Sequence, residues 1–202
     1  MLKNDIWISE QNQWVNEPGS NMIIPYTPKL VRKLPSGDRA LSYGQSSYGY
    51  DLRLSQREFL VFRHVPGTVM DPKHFNPKNL EPTNLKFEED SDGCYFVLPA
   101  HSYGLGVARE KLNVPDNVTV VCLGKSTYAR CGIIVNATPA EAGWSGHLTL
   151  EFSNSSGADC RIYADEGVCQ LLFFEGEPCR TTYQARNGKY QNQPETVVKA
   201  IV

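Results

Sequence analysis

The chain is short of several features that would have classified it at once. None of its six cysteines forms a C-x-x-C pair; Cys94, Cys122, Cys131, Cys160, Cys169 and Cys179 are irregularly spaced. Cys122 and Cys169 sit inside apolar runs, and the plain reading of the set is reduced, buried thiols acting as small apolar side chains. No histidine is followed two residues later by glutamate, and Pro178-Cys179 has no second cysteine at the required spacing. The H-x-E…P-C-x-x-C signature of zinc deaminases is therefore missing, and no other His/Cys group has ligand spacing, so no zinc is expected. No apolar run reaches bilayer length, and the opening MLKNDIWISEQNQW has no basic region followed by an apolar core. Neither a membrane span nor a signal peptide is expected, and the expected location is cytoplasmic. A net charge of −2 lacks the basic excess of a nucleic-acid binder, although a local basic pocket for a small anion stays open.

What remains is an ordinary globular composition. With 202 residues, 41% apolar and 10% aromatic, the simplest organisation is one domain over 1–202. Residues 1–16 read as a short helix carrying Ile6, Trp7, Trp14 and Val15, closed by Pro18-Gly19, so that 1–20 forms a helical N-terminal extension. Residues 20–45 are mixed, with Pro25, Pro28 and Pro35-Ser36-Gly37 as turn signals. Tyr48, Tyr50, Leu52 and Leu54 alternate with small or polar residues, as in a half-buried strand, and Glu58–Phe62 is a second β run. Residues 64–92, rich in Pro, Asn, Lys and Glu, read as a long surface excursion. From Cys94 short strand-like runs dominate: Tyr95–Leu98, Ser102–Ala108, Val118–Leu123, Gly132–Ala137, His147–Phe152, Cys160–Ala164 and Val168–Phe174. Such a series predicts a mainly β fold, a sandwich or barrel. The polar stretch 176–202 reads as irregular.

The segment GKSTYARCGIIVNATPAEAGWSGHLTLEF, Gly124–Phe152, carries the chemistry. Lys125 to Arg130 packs a cation, two hydroxyls and an arginine into six residues. It is not a P-loop, because the glycine required five positions earlier is Thr119 and a β run follows within one short turn. What survives is a turn after a strand whose backbone amides, Lys125 and hydroxyls can cradle phosphates; a capped surface turn with Arg130 in a structural ion pair accounts for it equally. In His147–Phe152, Leu148, Leu150 and Phe152 share one face, and His147, Thr149 and Glu151 the other. Periodicity alone favours the ordinary reading of Glu151, a surface charge.

GKSTYARCGIIVN followed by T-P-x-E-x-x-W-x-G-x-x-T-L-E-F-S-N resembles the zinc-independent dCTP deaminases of the trimeric dUTPase-like superfamily. SYGQSSYGYDLRL upstream, IYADEGVCQLLFFEG downstream and the terminal GKYQNQ are similar to the same family. The resemblance implies a distorted β-barrel or jelly-roll with a few short helices, assembled as a homotrimer with active sites between subunits. It implies hydrolysis of dCTP to dUTP and ammonia in pyrimidine deoxynucleotide metabolism. Mg2+ would be bound through the substrate triphosphate and no metal would act at the reacting carbon. Glu151 falls on the family's catalytic glutamate, a proton shuttle that Ser126 and Arg130 would assist. Lys125, Ser126, Thr127, Tyr128, Ala129 and Arg130 fall on its nucleotide-binding turn. Thr149 and Leu150 fall on the strand that contacts pyrimidine and sugar. Gln170, Tyr183, Lys189 and Gln193 match later nucleotide contacts, with 176–202 as a tail closing over the nucleotide. Glu141 aligns near an acidic position that shapes the site.

The resemblance departs in the loop Thr138–Gly146, where relatives read T-P-L-E-P-E-W-E-G and two charges are lost. Base choice is thus open to a modified cytosine deoxynucleotide. Also open are a bifunctional enzyme that hydrolyses dUTP further, a non-catalytic nucleotide-binding regulator, and feedback inhibition by dTTP. A plain dUTPase fits less well, since Asn187-Gly188-Lys189-Tyr190 does not supply that enzyme's glycine-rich phosphate clamp.

Overall fold

The structure is a computed structural model and describes residues 1–13, 21–89 and 91–201. The N-terminal helix, α1, runs Asp5–Gln13. The Asn4 Oδ1 accepts from the Trp7 amide at 3.2 Å and ties off the first turn. Ile8 is fully buried, and Trp7 lies 6.3 Å from the Phe173 ring. Trp14, Val15, Pro18 and Gly19 lie outside the described residues.

The strands follow as β1 (Ile23–Ile24), β2 (Val31–Lys33), β3 (Arg39–Ser46), β4 (Gly49–Phe62), β5 (Leu80–Pro82), β6 (Tyr95–Leu98), β7 (Tyr103–Asn113) and β8 (Val118–Gly124). After the four-residue helix α2 (Ser126–Ala129) come β9 (Ile133–Asn136), β10 (Ser145–Asn154), β11 (Cys160–Tyr163) and β12 (Gly167–Glu175). The expected mainly β, barrel-like fold is thus what forms, a curled sheet with few helices. Its strand order is β2-β3-β4-β7-β10-β9; β12 links β4 to β8, β5 joins β4, β1 joins β7, and β6 and β11 form a separate pair.

β4 is the pivot. Its first half pairs with β3 and β12, and its second half with β5 and β7. The two β runs expected at 46–54 and 58–62 are therefore one strand. They look separate in the sequence because the register jumps between Leu54 and Phe59, which releases the polar residues Ser55–Glu58 from the regular ladder. Nor is this strand half-buried: Tyr50, Leu52 and Leu54 are in the core, but Asp51, Arg53 and Ser55 are buried too, and Tyr48 lies exposed in the turn before it. The 64–92 excursion holds one 3-10 turn at Pro77–Asn79 and the short β5. Cys122 and Cys169 are buried as expected, whereas Cys131 and Cys179 are exposed.

The core centres on Phe59, which stacks on Phe96 at 5.3 Å and meets Phe152 at 5.2 Å. β7 crosses these rings with glycines: a Cβ at Gly104 would stand 2.7 Å from Phe59, and one at Gly106 would stand 2.6 Å from Leu54. Among the described residues no helix is long and apolar enough to cross a membrane.

Two buried carboxylates sit in this framework. Glu110 is fully buried and takes the Arg53 Nε at 2.6 Å and the Arg53 amide at 2.9 Å. Burial pushes its carboxyl up, against the pull of the guanidinium. Glu166 is 2% exposed and, among the described residues, accepts only the Leu41 amide, at 2.6 Å. Burial first, opposed by that hydrogen bond and reinforced by the charges of Asp92 and Asp165, raises it from 4.5 to about 7. An acid whose folded pKa is raised binds more protons folded than unfolded between about 4.5 and 7. Stability therefore falls as pH rises through that window and stays lowered above it. The loss is on the order of 3 kcal/mol. Glu166→Gln keeps an acceptor for Leu41 without the charge, so its thermal midpoint should fall less than that of the wild type between about pH 5 and pH 8. Parallel pH curves for the two proteins would contradict this.

Candidate active site

β10 builds the site. Its burial alternates along the whole strand: Leu148, Leu150 and Phe152 enter the core and His147, Thr149 and Glu151 face outward. One edge pairs with β7. The other edge pairs with β9 from Glu151 to Asn154 and, nearer its start, with the C-terminal tail. There the His147 amide donates to the Gln193 carbonyl at 3.0 Å and the Asn192 amide to the Ser145 carbonyl at 2.7 Å. Gly146 makes that approach possible. Its φ is +142°, and a Cβ would stand 2.6 Å from the Gln193 nitrogen.

A cavity of about 650 Å³ opens over this face. Its floor is Leu148, Thr149 and Glu151, one wall is the loop Ala137–Glu141 with Trp144, and the other is the tail through Tyr183, Arg186, Tyr190 and Gln193. Glu151 is half-buried and accepts the Asn136 side-chain amide on Oε2 at 2.8 Å, its cross-strand neighbour in register. No other hydrogen-bond partner holds Oε1 among the described residues. The negative charge is felt by Tyr103, whose phenol is pushed up to about 12, by burial first and then by Glu151. Thr149 donates its hydroxyl to Gln193 Oε1 at 3.2 Å and accepts the Val198 amide at 3.1 Å.

Among its described residues the tail has no helix or strand, as expected, yet it is firmly docked. Buried Trp144 donates its indole N–H to the Tyr190 carbonyl at 2.7 Å, and the Tyr190 amide donates to the Tyr183 hydroxyl at 3.1 Å. Arg186 pairs with Glu141 at 2.5 Å and joins tail to loop. Val197 is buried beside Leu60, Leu80 and Leu105.

The structure therefore gathers Thr149, Glu151, Tyr183 and Gln193 around one cavity. Leu150 is fully buried and can offer that cavity only its backbone. The Lys125–Arg130 turn lines no part of it within a single chain. Ser126, Thr127, Ala129 and Arg130 are exposed on and after α2, with Arg130 Nη1 donating to the Ser126 carbonyl at 3.0 Å. Arg130 thus has no carboxylate partner among the described residues. Tyr128 is buried, and its hydroxyl accepts the Tyr163 amide at 2.8 Å, an anchor for the turn. Lys125 turns inward: its ammonium meets Asp51 Oδ2 at 2.5 Å in a pair with side chains 11% and 7% exposed. Gln170 donates to the other oxygen, Oδ1, at 3.1 Å and to Ser46 Oγ at 3.2 Å. Lys189 lies on the outer side of the tail and donates to the Ile201 carbonyl at 3.2 Å.

Sequence reasoning missed Asp51, Asn136, Trp144 and Arg186, whereas Tyr190 belongs to the tail read as able to fold over a nucleotide and does line the cavity. Asp51, Asn136 and Trp144 all lie inside the family-like motifs quoted above, and Asn136 also has an outward place in the alternating run Ile133–Asn136; Arg186 left no sign.

A sequence profile of the dCTP deaminase-like family matches residues 17–176. The chain belongs to that family. Among its relatives, the dCTP deaminase of Dechloromonas aromatica (strain RCB) is 49% identical over 201 residues, covering 99% of each chain. That of Acinetobacter baumannii (strain AYE) is 48% identical over 193 residues, covering 95% of each. That of Xylella fastidiosa (strain 9a5c) is 46% identical over 195 residues, again 95% of each. The crystal structure of 2'-deoxycytidine 5'-triphosphate deaminase from Agrobacterium tumefaciens has the same fold, with a TM-score of 0.55 at 18% identity over 87% of this chain. This chain spans 48%, about half, of that longer one. For a dCTP deaminase-like protein, the cavity above β10 is the natural candidate active site.

The buried Lys125–Asp51 pair gives a direct test of how the turn is held. Removing one partner of a buried ion pair leaves the other charge uncompensated and costs roughly 3–5 kcal/mol. Asp51→Asn should lower stability to denaturant by about that much, and Asp51→Leu combined with Lys125→Met should recover most of it. Asp51→Asn within about 1 kcal/mol of wild type would show that the pair does not hold the turn.

Proposed function

We propose that the protein catalyses the hydrolytic deamination of dCTP to dUTP and ammonia, with Glu151 moving the protons. One observation carries the reading: a carboxylate sits on the floor of a nucleotide-sized cavity with one oxygen fixed by Asn136 and the other open. Such a group takes a proton from water as the oxygen adds to C4 of cytosine and passes it to N3. It then takes the proton of the new hydroxyl and delivers it to the departing amine. The C4–N bond breaks, ammonia leaves and the C4 carbonyl of uracil remains.

Thr149 and the backbone of Leu150 would read the pyrimidine edge. The wall Ala137–Glu141 would set which base is accepted, because it is the part of the cavity made by the loop that departs from the family pattern. Among the described residues no three His, Cys, Asp or Glu side chains come together as a metal site. Magnesium would sit on the substrate's phosphate oxygens and neutralise charge there, and activation of the water at C4 falls to Glu151.

The phosphates require cations that, among the described residues, the cavity of one chain supplies only through Arg186. The exposed turn carrying Ser126, Thr127 and Arg130 is the natural source. Beside it lie two exposed apolar side chains, Leu123 and Ile134, 49% and 58% accessible, the second on the edge strand β9. A homotrimer with sites between subunits would cover these residues and supply the missing cations if each neighbour's turn reached this cavity. Within the assembly Ser126 and Arg130 would then orient the water and stabilise charge at the ring.

Incubation with dCTP and magnesium, with ammonia, dUTP, dUMP and pyrophosphate resolved, tests the reading. Ammonia and dUTP in equal amounts are expected. Ammonia with dUMP and pyrophosphate would make the enzyme bifunctional, and pyrophosphate formed only from supplied dUTP would make it a dUTPase. Binding of dCTP without any product would overturn the catalytic reading.

A further inference from the structure

A second cavity, of about 610 Å³, lies on the same outward face of the sheet, beyond the tail. Its floor crosses three strands: Ser55–Arg57 of β4, Arg109 and Lys111 of β7, and His147 of β10. Register breaks fall here in both β4, between Leu54 and Phe59, and β10, between His147 and Thr149. Bulges of this kind re-aim side chains and open the ladder, and here they leave a concave site in place of a flat sheet. Ile24 and Pro25 form one apolar side.

The charges are arranged unequally. Asp165 is engaged on both oxygens, by Arg109 on Oδ1 and by the Gln56 amide on Oδ2 at 2.6 Å. Glu195 is likewise engaged on both, by the Ser55 hydroxyl on Oε1 at 2.7 Å and by Arg57 Nε on Oε2 at 2.8 Å. Each arginine spends one part of its fork on these contacts and keeps further N–H groups. Lys111 lines the cavity with no carboxylate or hydrogen-bond partner for its ammonium among the described residues. His147 commits Nδ1 to the Ala108 carbonyl at 3.0 Å. Three permanent cations therefore face two neutralised carboxylates, in a chain whose net charge is −2.

We propose that this cavity is a second anion site, separate from the site above Glu151, that takes a polyphosphate group. Arginine forks and an unpaired ammonium suit phosphate oxygens, and the volume accommodates a triphosphate with room against Ile24 and Pro25 for a nucleoside. The two cavities share the tail: Gln193 walls the first and Glu195 the second. A phosphate that drew Arg57 away from Glu195 would act on the strap that closes the first cavity.

The proposal does not depend on the deaminase reading and is tested by binding alone. Inorganic tripolyphosphate is titrated calorimetrically into the wild type and into Lys111→Met, Lys111→Arg and Arg130→Ala proteins, each shown to keep its thermal midpoint. The expected result is a binding class in the wild type that survives Arg130→Ala, weakens at least tenfold in Lys111→Met and is kept in Lys111→Arg. It should also weaken as salt is raised. A nucleoside triphosphate run in parallel identifies the source of the phosphate: tighter binding than tripolyphosphate at this class assigns a nucleotide, and equal binding assigns the polyphosphate alone. Tripolyphosphate binding unchanged by Lys111→Met, or wholly lost in Arg130→Ala, would overturn the proposal.

Discussion

Alternation along β10 governs the candidate site. Leu148, Leu150 and Phe152 are committed to the core, and a strand cannot bury one set of side chains without presenting the other on its opposite face. Slipping the register by one residue would drive Thr149 and Glu151 into the core and expose three large apolar groups, a cost of several kcal/mol. Pairing on both edges, with β7 on one side and β9 and the tail on the other, fixes that register. Asn136 lies beside Glu151 for the same reason, since the β9 pairing that aligns the strands also aligns these two side chains.

Charge burial follows a different logic on the other side of the fold. Lys125, Asp51, Gln170 and Ser46 form a closed network that pins the start of α2 to β4 and β12. A buried ammonium facing a carboxylate is not a free cation awaiting phosphate. The cation that remains available on the turn is Arg130, with the hydroxyls of Ser126 and Thr127 beside it. The turn thus divides into a buried anchor, Lys125 and Tyr128, and an exposed edge, Ser126, Thr127 and Arg130. This division would let a segment that lies outside the cavity over β10 in its own chain stay rigid enough to serve a neighbour in the proposed trimer.

Much of the fold was legible because the strands after Cys94 alternate clearly and are separated by Gly, Pro, Asn and Asp. The strands β1, β2, β3 and β5 were not legible. Three of the four are two or three residues long, and all depend on partners elsewhere in the chain. The break that made one strand look like two is a register shift, which has no composition of its own. At the site, long recognisable motifs pointed to Glu151 and Thr149, whereas Asp51 lies 74 positions from Lys125 and nothing local links the two. The tail was correctly read as irregular, but its docking rests on backbone bonds to β10, the Trp144 indole N–H, the Arg186–Glu141 pair and buried Val197, partners that lie far away in the sequence.

The central claim is that Glu151 carries the protons of deamination. Its most direct test is the Glu151→Gln protein, which keeps the shape of the side chain and removes its basicity. dCTP binding is measured by calorimetry and ammonia release under saturating dCTP with magnesium. The account predicts binding within about threefold of wild type and turnover reduced by about 10²–10⁴ or more. Ammonia release from Glu151→Gln at a near-normal rate would contradict it.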